Sequence, residues 1–221
     1  MTAVAEPSYR KRIGYQAGLL GGFTTLAAVL LILGNDSTHE AIAERQAEDL
    51  LESLAQVLPE RLHDNKLLDN VIQIEDAQGS PVTIYRAMKQ ARFTGFAFRA
   101  TGQGYAGDIE LILAVKPDGE LLGVRVLSHA ETPGLGDKIE VERDDWIRGF
   151  DGHSLRNTPA SAWAVRKDGG QFDAFSGATI TPRGVVKAVH ESLTFFAAHQ
   201  NELVVMGDDS ETATTADEVN R

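Results

Sequence analysis

The chain is organised around residues 173–182, which read Asp-Ala-Phe-Ser-Gly-Ala-Thr-Ile-Thr-Pro. A helix is predicted to begin at the end of this stretch, because Thr181 can cap it and Pro182 fits the first helical position. Apolar residues then recur at helical spacing, at Val185, Val186, Val189, Leu193 and Phe196. We therefore expect the Thr179 hydroxyl at the positive end of a helix, where free N–H groups bind phosphate and the dipole contributes roughly 0.3–1 kcal/mol.

Composition narrows the function classes. The 221 residues carry a formal net charge of −11, with +2 on residues 1–34 and −13 on the remainder, and they include no cysteine. An acidic remainder argues against nucleic-acid binding, which needs clustered Lys and Arg. Without cysteine there are no disulfides, no thiol redox chemistry and no Cys-ligated iron–sulfur clusters. If this chain moves electrons, a bound organic cofactor must carry them.

Residues 13–33 contain no charged side chain and predict a transmembrane helix, since 21 residues reach about 31 Å. A basic cluster at residues 10–12 precedes this segment and acidic residues follow it, so the positive-inside rule predicts a cytoplasmic N-terminus, residues 1–12. In a bacterium the rest of the chain would then lie in the periplasm. A cleaved signal peptide is the alternative, but the apolar region is too long for one.

Residues 36–92 are predicted to form a helical stalk and a small α/β region. Ser37 and Glu40 have capping-box spacing, and apolar residues then recur on one helix face until Pro59. Short strands are predicted at residues 71–74 and 82–85.

Residues 93–200 are predicted to form the main domain. A strand is expected at residues 91–99 and a hairpin at residues 108–115 and 120–127, around the turn Pro117-Asp118-Gly119. Further predictions are a helix from Asp137 towards Phe150, strands at residues 163–165 and at Phe172, and a final helix ending near His199. Residues 207–221 are small, polar and acidic, which predicts a disordered tail. The fold class is α+β, an antiparallel sheet with flanking helices.

Three common kinds of site do not fit the residues. The six histidines lack zinc-motif spacing, so no metal site is predicted. Ser176 is not in a G-x-S-x-G elbow, which argues against a serine hydrolase. No G-x-G-x-x-G follows a strand, which argues against NADH binding to this chain.

Three segments in order resemble a known family. They are Gly104-Tyr105-Ala106-Gly107-Asp108-Ile109, His129-Ala130-Glu131-Thr132-Pro133-Gly134-Leu135-Gly136, and Ser176-Gly177-Ala178-Thr179. They look like the G-Y-x-G-x-I, H-x-E-T-P-G-L-G and S-G-A-T motifs of the FMN-binding domain. That domain is found in the G subunit of the Rnf electron-transport complex and in the C subunit of the sodium-pumping NADH:quinone oxidoreductase.

The resemblance implies a covalent cofactor. In that family the last threonine of S-G-A-T carries FMN through a phosphoester, which by position here is Thr179. Gly177 and Ala178 would leave room for the phosphate and the enzyme that delivers it. The loop at residues 133–136 would line the flavin, with Glu131 and Thr132 bonding the ring edge, Leu135 covering it and Gly136 passing close to it.

Four further residues are candidates for supporting roles. Lys187 and Lys138 could neutralise the phosphate, with solvated surface lysines as the alternative. Ser176 would bond the backbone or the phosphate. Asp173 would bind the hydroxyl network near Ser176 or help to recruit a flavin transferase, with a plain turn residue as the alternative.

The function implied is an electron relay in an ion-translocating complex. The partners would be the other membrane, iron–sulfur and flavin subunits, together with a flavin transferase, and the chain would be anchored in the bacterial inner membrane. The compact region before the hairpin favours the Rnf protein. The alternatives left open are the C subunit of the quinone reductase, a non-redox assembly factor that keeps the fold, and a stand-alone reductase with its own substrate.

Overall fold

The computed structural model describes residues 13–76 and 79–205, except for the side chains at 33–44, 46, 204 and 205. The predicted cytoplasmic N-terminus, residues 1–12, and the predicted disordered tail, residues 207–221, lie outside the described residues. Two compact units divide at Leu50 and Leu51.

Helix α1 spans Ile13–Val57. Its segment Ile13–Ile32 is long and apolar enough to cross a membrane, and none of that segment is buried. The hydroxyls of Thr24 and Thr25 donate to the Gly21 carbonyl at 3.0 and 2.8 Å, so these polar groups are satisfied within the helix. The predicted helix start at Ser37 is wrong, because the helix already includes that residue, whereas the predicted stop before Pro59 is confirmed.

The second unit contains one antiparallel sheet with strand order β1-β2-β3-β4-β5. The strands are β1 (Val71–Glu75), β2 (Pro81–Lys89), β3 (Arg92–Gln103), β4 (Asp108–Val115) and β5 (Leu121–Ser128). The predicted α+β class is confirmed. Because β1 and β2 pair into the same sheet as β3, the predicted domain boundary between residues 92 and 93 falls inside a hairpin.

The hairpin turns at β2–β3 and β4–β5 differ in the residues that take positive φ. Gln90 and Ala91 both take positive φ, 51° and 59°, as a two-residue hairpin turn requires. Ala91 is therefore part of the turn and β3 begins at Arg92, one residue later than predicted. Gly119 has φ 89° and its N–H donates to the Lys116 carbonyl at 2.9 Å, which confirms the second turn.

Both faces of the sheet are buried. On one face Phe96 and Phe98 pack against Phe196 of helix α2 (Ile180–Val205), with ring centroids 5.5 and 6.5 Å from that of Phe196. On the other face Gly123 approaches Val57, the last residue of α1, and Gly95 approaches Leu58, the next residue along the chain. The sheet is thus the middle layer of the second unit.

Three sequence predictions fail after β5. The expected helix from Asp137 is two separate 3-10 turns, Asp137–Ile139 and Asp145–Phe150, because Glu140 is extended and Asp144 caps the second turn. The expected strands near Trp163 reduce to a single bridge between Val165 and Phe172, since a 3-10 turn lies between them. The final helix continues past His199 to Val205, because Leu203 is also buried in the core.

Candidate cofactor-binding site

The turn before α2 presents Thr179. Phe175 to Ala178 form a tight turn in which the Ala178 N–H donates to the Phe175 carbonyl at 3.3 Å. Gly177 is the third residue of this turn and has φ 85°, a conformation that an L side chain rarely adopts. Ser176 and Gly177 are exposed, whereas Thr179 is half-buried.

Thr179 directly precedes the first residue of α2, Ile180. The first N–H groups of a helix have no partner inside it, so the N–H groups of Ile180 and Thr181 are available at this end. Pro182, the third helical residue, has no N–H to satisfy. The predicted cap at Thr181 is wrong, because the helix already contains this residue and its hydroxyl has another partner.

That partner is Glu131, a carboxylate with 5% of its surface exposed. The Thr181 hydroxyl donates to Oε2, and the Ala106 N–H donates to Oε1 at 2.9 Å. Ala106, Glu131 and Thr181 belong respectively to the first motif, the second motif and the segment that continues the third. One carboxylate therefore joins all three segments.

Two glycines make room for this carboxylate. A Cβ on Gly104 would collide with Oε1 of Glu131 and would lie 2.8 Å from the Gly107 carbonyl oxygen. A Cβ on Gly136 would lie 2.9 Å from both Cβ and Oε2 of Glu131. Both distances are shorter than real contacts, so the glycines of the first two motifs allow the buried charge to fit.

His129 holds the backbone of Glu131 through a hydrogen bond. The Glu131 N–H donates to Nδ1 of His129 at 3.0 Å, so Nε2 carries the proton and donates to Oε1 of Glu140 at 2.7 Å. The imidazole is 10% exposed. This arrangement sets the tautomer and orients the backbone on which Glu131 lies.

The loop after Glu131 closes on itself. The Thr132 carbonyl accepts from the N–H groups of Leu135 and Gly136 at 3.1 and 3.0 Å, and Gly134 takes φ 78°. Leu135 is 44% exposed, and its Cδ2 would lie 3.5 Å from a Cβ on Gly177. The second and third motifs therefore meet at Leu135 and Gly177.

A cavity of about 300 Å³ lies between these segments. Its lining includes seven of the predicted site residues: Glu131, Thr132, Leu135, Gly136, Gly177, Ala178 and Thr179. Tyr105, Ile180 and Thr181 complete the lining. Sequence reasoning missed Tyr105 and Ile180 as lining residues, although Tyr105 is the aromatic residue of the first motif and could have been singled out on that ground.

Three of the predicted candidates, Ser176, Lys187 and Lys138, lie outside this lining. Ser176 is exposed on the turn itself. Lys187 lines an adjoining groove with Arg183 and Asp108, and its Nζ lies 3.7 Å from Oε1 of Glu191. Lys138, the other cationic candidate, is exposed on the 3-10 turn and is also absent from the lining.

An aromatic cluster packs around Phe175, the first residue of the turn that precedes Thr179. The Phe175 ring lies 5.1 Å from that of Trp146, which packs 5.3 Å from Phe150. Nε1 of Trp146 donates to the Asp173 carbonyl at 2.9 Å, and the Asp173 carboxylate pairs with Arg166 at 2.7 Å. Asp173 thus contributes to the order of the loop that leads to Thr179.

A second ion pair holds the first turn of α2. Arg183 binds Asp168 through two nitrogens, at 2.6 and 2.7 Å. The hydrogen bonds from Arg183 hold the pKa of Asp168 below its usual range. The guanidinium charge next to Pro182 is therefore already paired.

These features fit a phosphorylated, partly apolar ligand. The cavity volume lies at the lower end of the range for small-molecule sites. The side chains of Leu135 and Ile180 and the ring of Tyr105 offer apolar surface at its rim, since they are 44%, 46% and 73% exposed. The Thr179 hydroxyl and the N-terminus of α2 lie together at this cavity, and a helix N-terminus offers hydrogen-bond donors for a phosphate.

Known proteins resemble this chain in sequence. The family model described as FMN-binding domain matches residues 104–194. The G subunit of the ion-translocating oxidoreductase complex of Cereibacter sphaeroides is 53% identical over 186 residues, 84% of this chain and 85% of that protein. The corresponding G subunit of Stutzerimonas stutzeri is 50% identical over 190 residues, 86% of this chain and 83% of that protein. A solved structure, described as the crystal structure of Shewanella oneidensis NqrC, aligns at 23% identity and a TM-score of 0.45 over 65% of this chain and 72% of that one.

Proposed function

Because this chain belongs to the family of the G subunits of ion-translocating oxidoreductase complexes, we propose that it relays electrons through an FMN joined by a phosphoester to Thr179. The chain is an electron-carrying subunit of such a complex and is not catalytic alone. The identity to G subunits favours this assignment over the C subunit of the quinone reductase, the alternative left open by the sequence motifs.

One observation carries the attachment site. Thr179 is the last residue before α2, its side chain lines the cavity, and the turn that presents it is fixed by Gly177 in a positive-φ conformation. A negatively charged diester on its oxygen would face the free N–H groups of Ile180 and Thr181, and the helix dipole would stabilise it by roughly 0.3–1 kcal/mol.

Attachment is a phosphoryl transfer from an activated flavin nucleotide, catalysed by a flavin transferase. The Thr179 hydroxyl oxygen forms a bond to phosphorus, the bond from phosphorus to the leaving nucleotide breaks, and the hydroxyl proton is released. No group is oxidised or reduced in this step. The exposed turn at Ser176 and Gly177 leaves Thr179 accessible to such an enzyme.

The remaining site residues bind and orient the cofactor in this proposal. FMN supplies reversible uptake and release of electrons, which no side chain of this cysteine-free protein offers. Leu135, Ile180 and Tyr105 provide apolar surface for a flat ring, and Thr132, Gly136 and Ala178 shape the cavity wall. Ser176 and Lys187, which lie outside the lining, act on the phosphate from the turn and from the adjoining groove.

The test of attachment is the intact mass of the full chain produced with an active flavin transferase. The wild type is expected to gain the mass of FMN less water. Thr179→Ala is expected to gain nothing, whereas Thr179→Ser, which keeps a hydroxyl at the same position, retains the modification. An unmodified wild type, with the transferase active on a control protein, would overturn the proposal and favour a non-redox assembly factor.

We also propose that α1 anchors the chain in a bacterial inner membrane with the N-terminus in the cytoplasm and the FMN domain in the periplasm. The apolar segment Ile13–Ile32 and the preceding Arg10-Lys11-Arg12 cluster support this orientation. The other membrane, iron–sulfur and flavin subunits of the complex are the proposed partners.

Orientation can be measured directly because the chain has no cysteine. In intact cells with a permeabilised outer membrane, a membrane-impermeant maleimide is expected to label Arg156→Cys, at an exposed position of the folded unit. Ser8→Cys, on the other side of the apolar segment, is expected to react only after lysis. The reverse labelling pattern would contradict the orientation.

A further inference from the structure

Glu131 is a buried charge in the cofactor cavity. It carries the only charged side chain among the ten lining residues. None of the ion pairs between described residues involves it, although its surface is only 5% exposed. A buried carboxylate is costly unless its oxygens receive hydrogen bonds, so its position calls for an explanation beyond packing.

Its hydrogen bonds indicate a role different from that expected from the sequence, which is to bond the edge of the flavin ring. In the structure Oε1 already accepts from the Ala106 N–H at 2.9 Å and Oε2 accepts from the Thr181 hydroxyl. Thr181 is two residues beyond Thr179, so the carboxylate acts on the attachment point through the chain.

We propose that Glu131 is the positioning residue of this site: it ties the β3–β4 turn and the first turn of α2 to its own loop, and it gives the cavity a negative charge. The part of this proposal that concerns the charge rests on the proposed function. The part that concerns the hydrogen bonds does not, because it depends only on contacts between residues of this chain.

The two effects of Glu131 predict different results for different variants. Glu131→Gln removes the charge but keeps both bonds, since the amide oxygen accepts from Ala106 and the amide nitrogen donates to the Thr181 hydroxyl, which is donor and acceptor. Glu131→Ala removes the charge and the two hydrogen bonds. Thr181→Val deletes only the link to α2 and keeps the charge. Glu75→Gln removes a charge from an exposed position on β1 that does not line the cavity, and serves as the control.

Hydrogen exchange of the unmodified full chain in detergent tests the positioning. Exchange at residues 104–109 in Glu131→Ala is expected to rise at least tenfold over the wild type, with Glu131→Gln and Glu75→Gln unchanged. Thr181→Val is expected to speed exchange at residues 175–181. This variant tests the hydrogen bond between Thr181 and Glu131 even if Glu131→Ala does not fold. The positioning role would be overturned if the exchange rates of Thr181→Val, and of Glu131→Ala where it folds, equalled those of the wild type.

The midpoint potential of the flavin-loaded full chain tests the charge. A nearby negative charge in a region of low dielectric constant opposes the addition of electrons. Glu131→Gln is therefore expected to raise the equilibrium constant for reduction by about tenfold. Glu75→Gln is expected to leave it close to the wild-type value. An unchanged potential in Glu131→Gln would overturn the role of the charge.

The design separates the two possible failures. A wild type that never acquires flavin contradicts the proposed function, and the exchange experiment on the unmodified chain still decides whether Glu131 positions the site. A flavin-loaded wild type whose Glu131 variants show neither effect leaves the proposed function intact and overturns this inference.

Discussion

At the scale of single residues, Gly104 leaves space for the Glu131 carboxylate, because a side chain at this position would overlap it. A Cβ there would meet the carboxylate on one side and the Gly107 carbonyl oxygen, at 2.8 Å, on the other. The carbonyl belongs to a turn closed by the Gly104 N–H, which donates to Gly107 at 2.8 Å. The first neighbour is a buried carboxylate held by hydrogen bonds from Ala106 and Thr181, and the second is backbone, so neither can move away at low cost.

Gly104→Ala is therefore expected to lower the free energy of unfolding by roughly 1–3 kcal/mol, the usual range for overpacking. Gly149→Ala is the matched control, since a Cβ there meets nothing within 4 Å, and its effect should stay within about 0.5 kcal/mol. Thermal unfolding of both variants, followed by circular dichroism, measures the difference. Equal stability of the two variants would contradict the packing argument.

At the scale of elements, helix α2 is held to its neighbours at its first turns. Gly184 lies against the Gln103 carbonyl at the end of β3, closer than any side chain would permit. The pair between Arg183 and Asp168 ties the same turn to the 3-10 segment Arg166–Asp168. These contacts determine where the helix N-terminus, and so Thr179, comes to lie.

The pair between Arg183 and Asp168 makes stability depend on pH. Because Arg183 lowers the pKa of Asp168 in the folded state, the stabilisation is present above the unfolded-state pKa, about 3.9, and is lost as pH falls through the lower folded-state pKa. Asp168→Asn is therefore expected to unfold at a lower temperature than the wild type at pH 7, and the difference should vanish in strong acid.

Glu142→Gln, at another exposed carboxylate, controls for the loss of one charge. A difference between Asp168→Asn and the wild type that is the same at pH 7 and in strong acid would show that the pKa of Asp168 does not depend on folding.

At the scale of the whole molecule, the second unit depends on residues at its own N-terminal edge. Leu54, Val57 and Leu58 are fully or almost fully buried, and the last two lie against Gly123 and Gly95 of the sheet. Each such side chain contributes roughly 1.5–3 kcal/mol by burial. The sheet face opposite α2 would be exposed to water without them.

A chain beginning at Leu51 is therefore expected to fold and to remain in solution, whereas a chain beginning at Glu60 should be unstable or aggregate. Unfolding midpoints and size-exclusion profiles of the two proteins test this expectation. Equal stability would mean that these three leucine and valine side chains do not contribute to the core.

The sequence singled out Thr179 by resemblance to a family motif. By itself it also determined the features that depend on neighbouring residues: the apolar segment Ile13–Ile32 and the hairpin of β4 and β5 with its turn at Gly119. Each depends on a local signal such as a run of apolar residues or a glycine in a turn. Only the tertiary structure decided the partner of Thr181 and the burial of Glu131, because these residues are 50 positions apart and several acceptors were open to that hydroxyl. The choice between capping a helix and binding a distant carboxylate is made by packing, which no local pattern records.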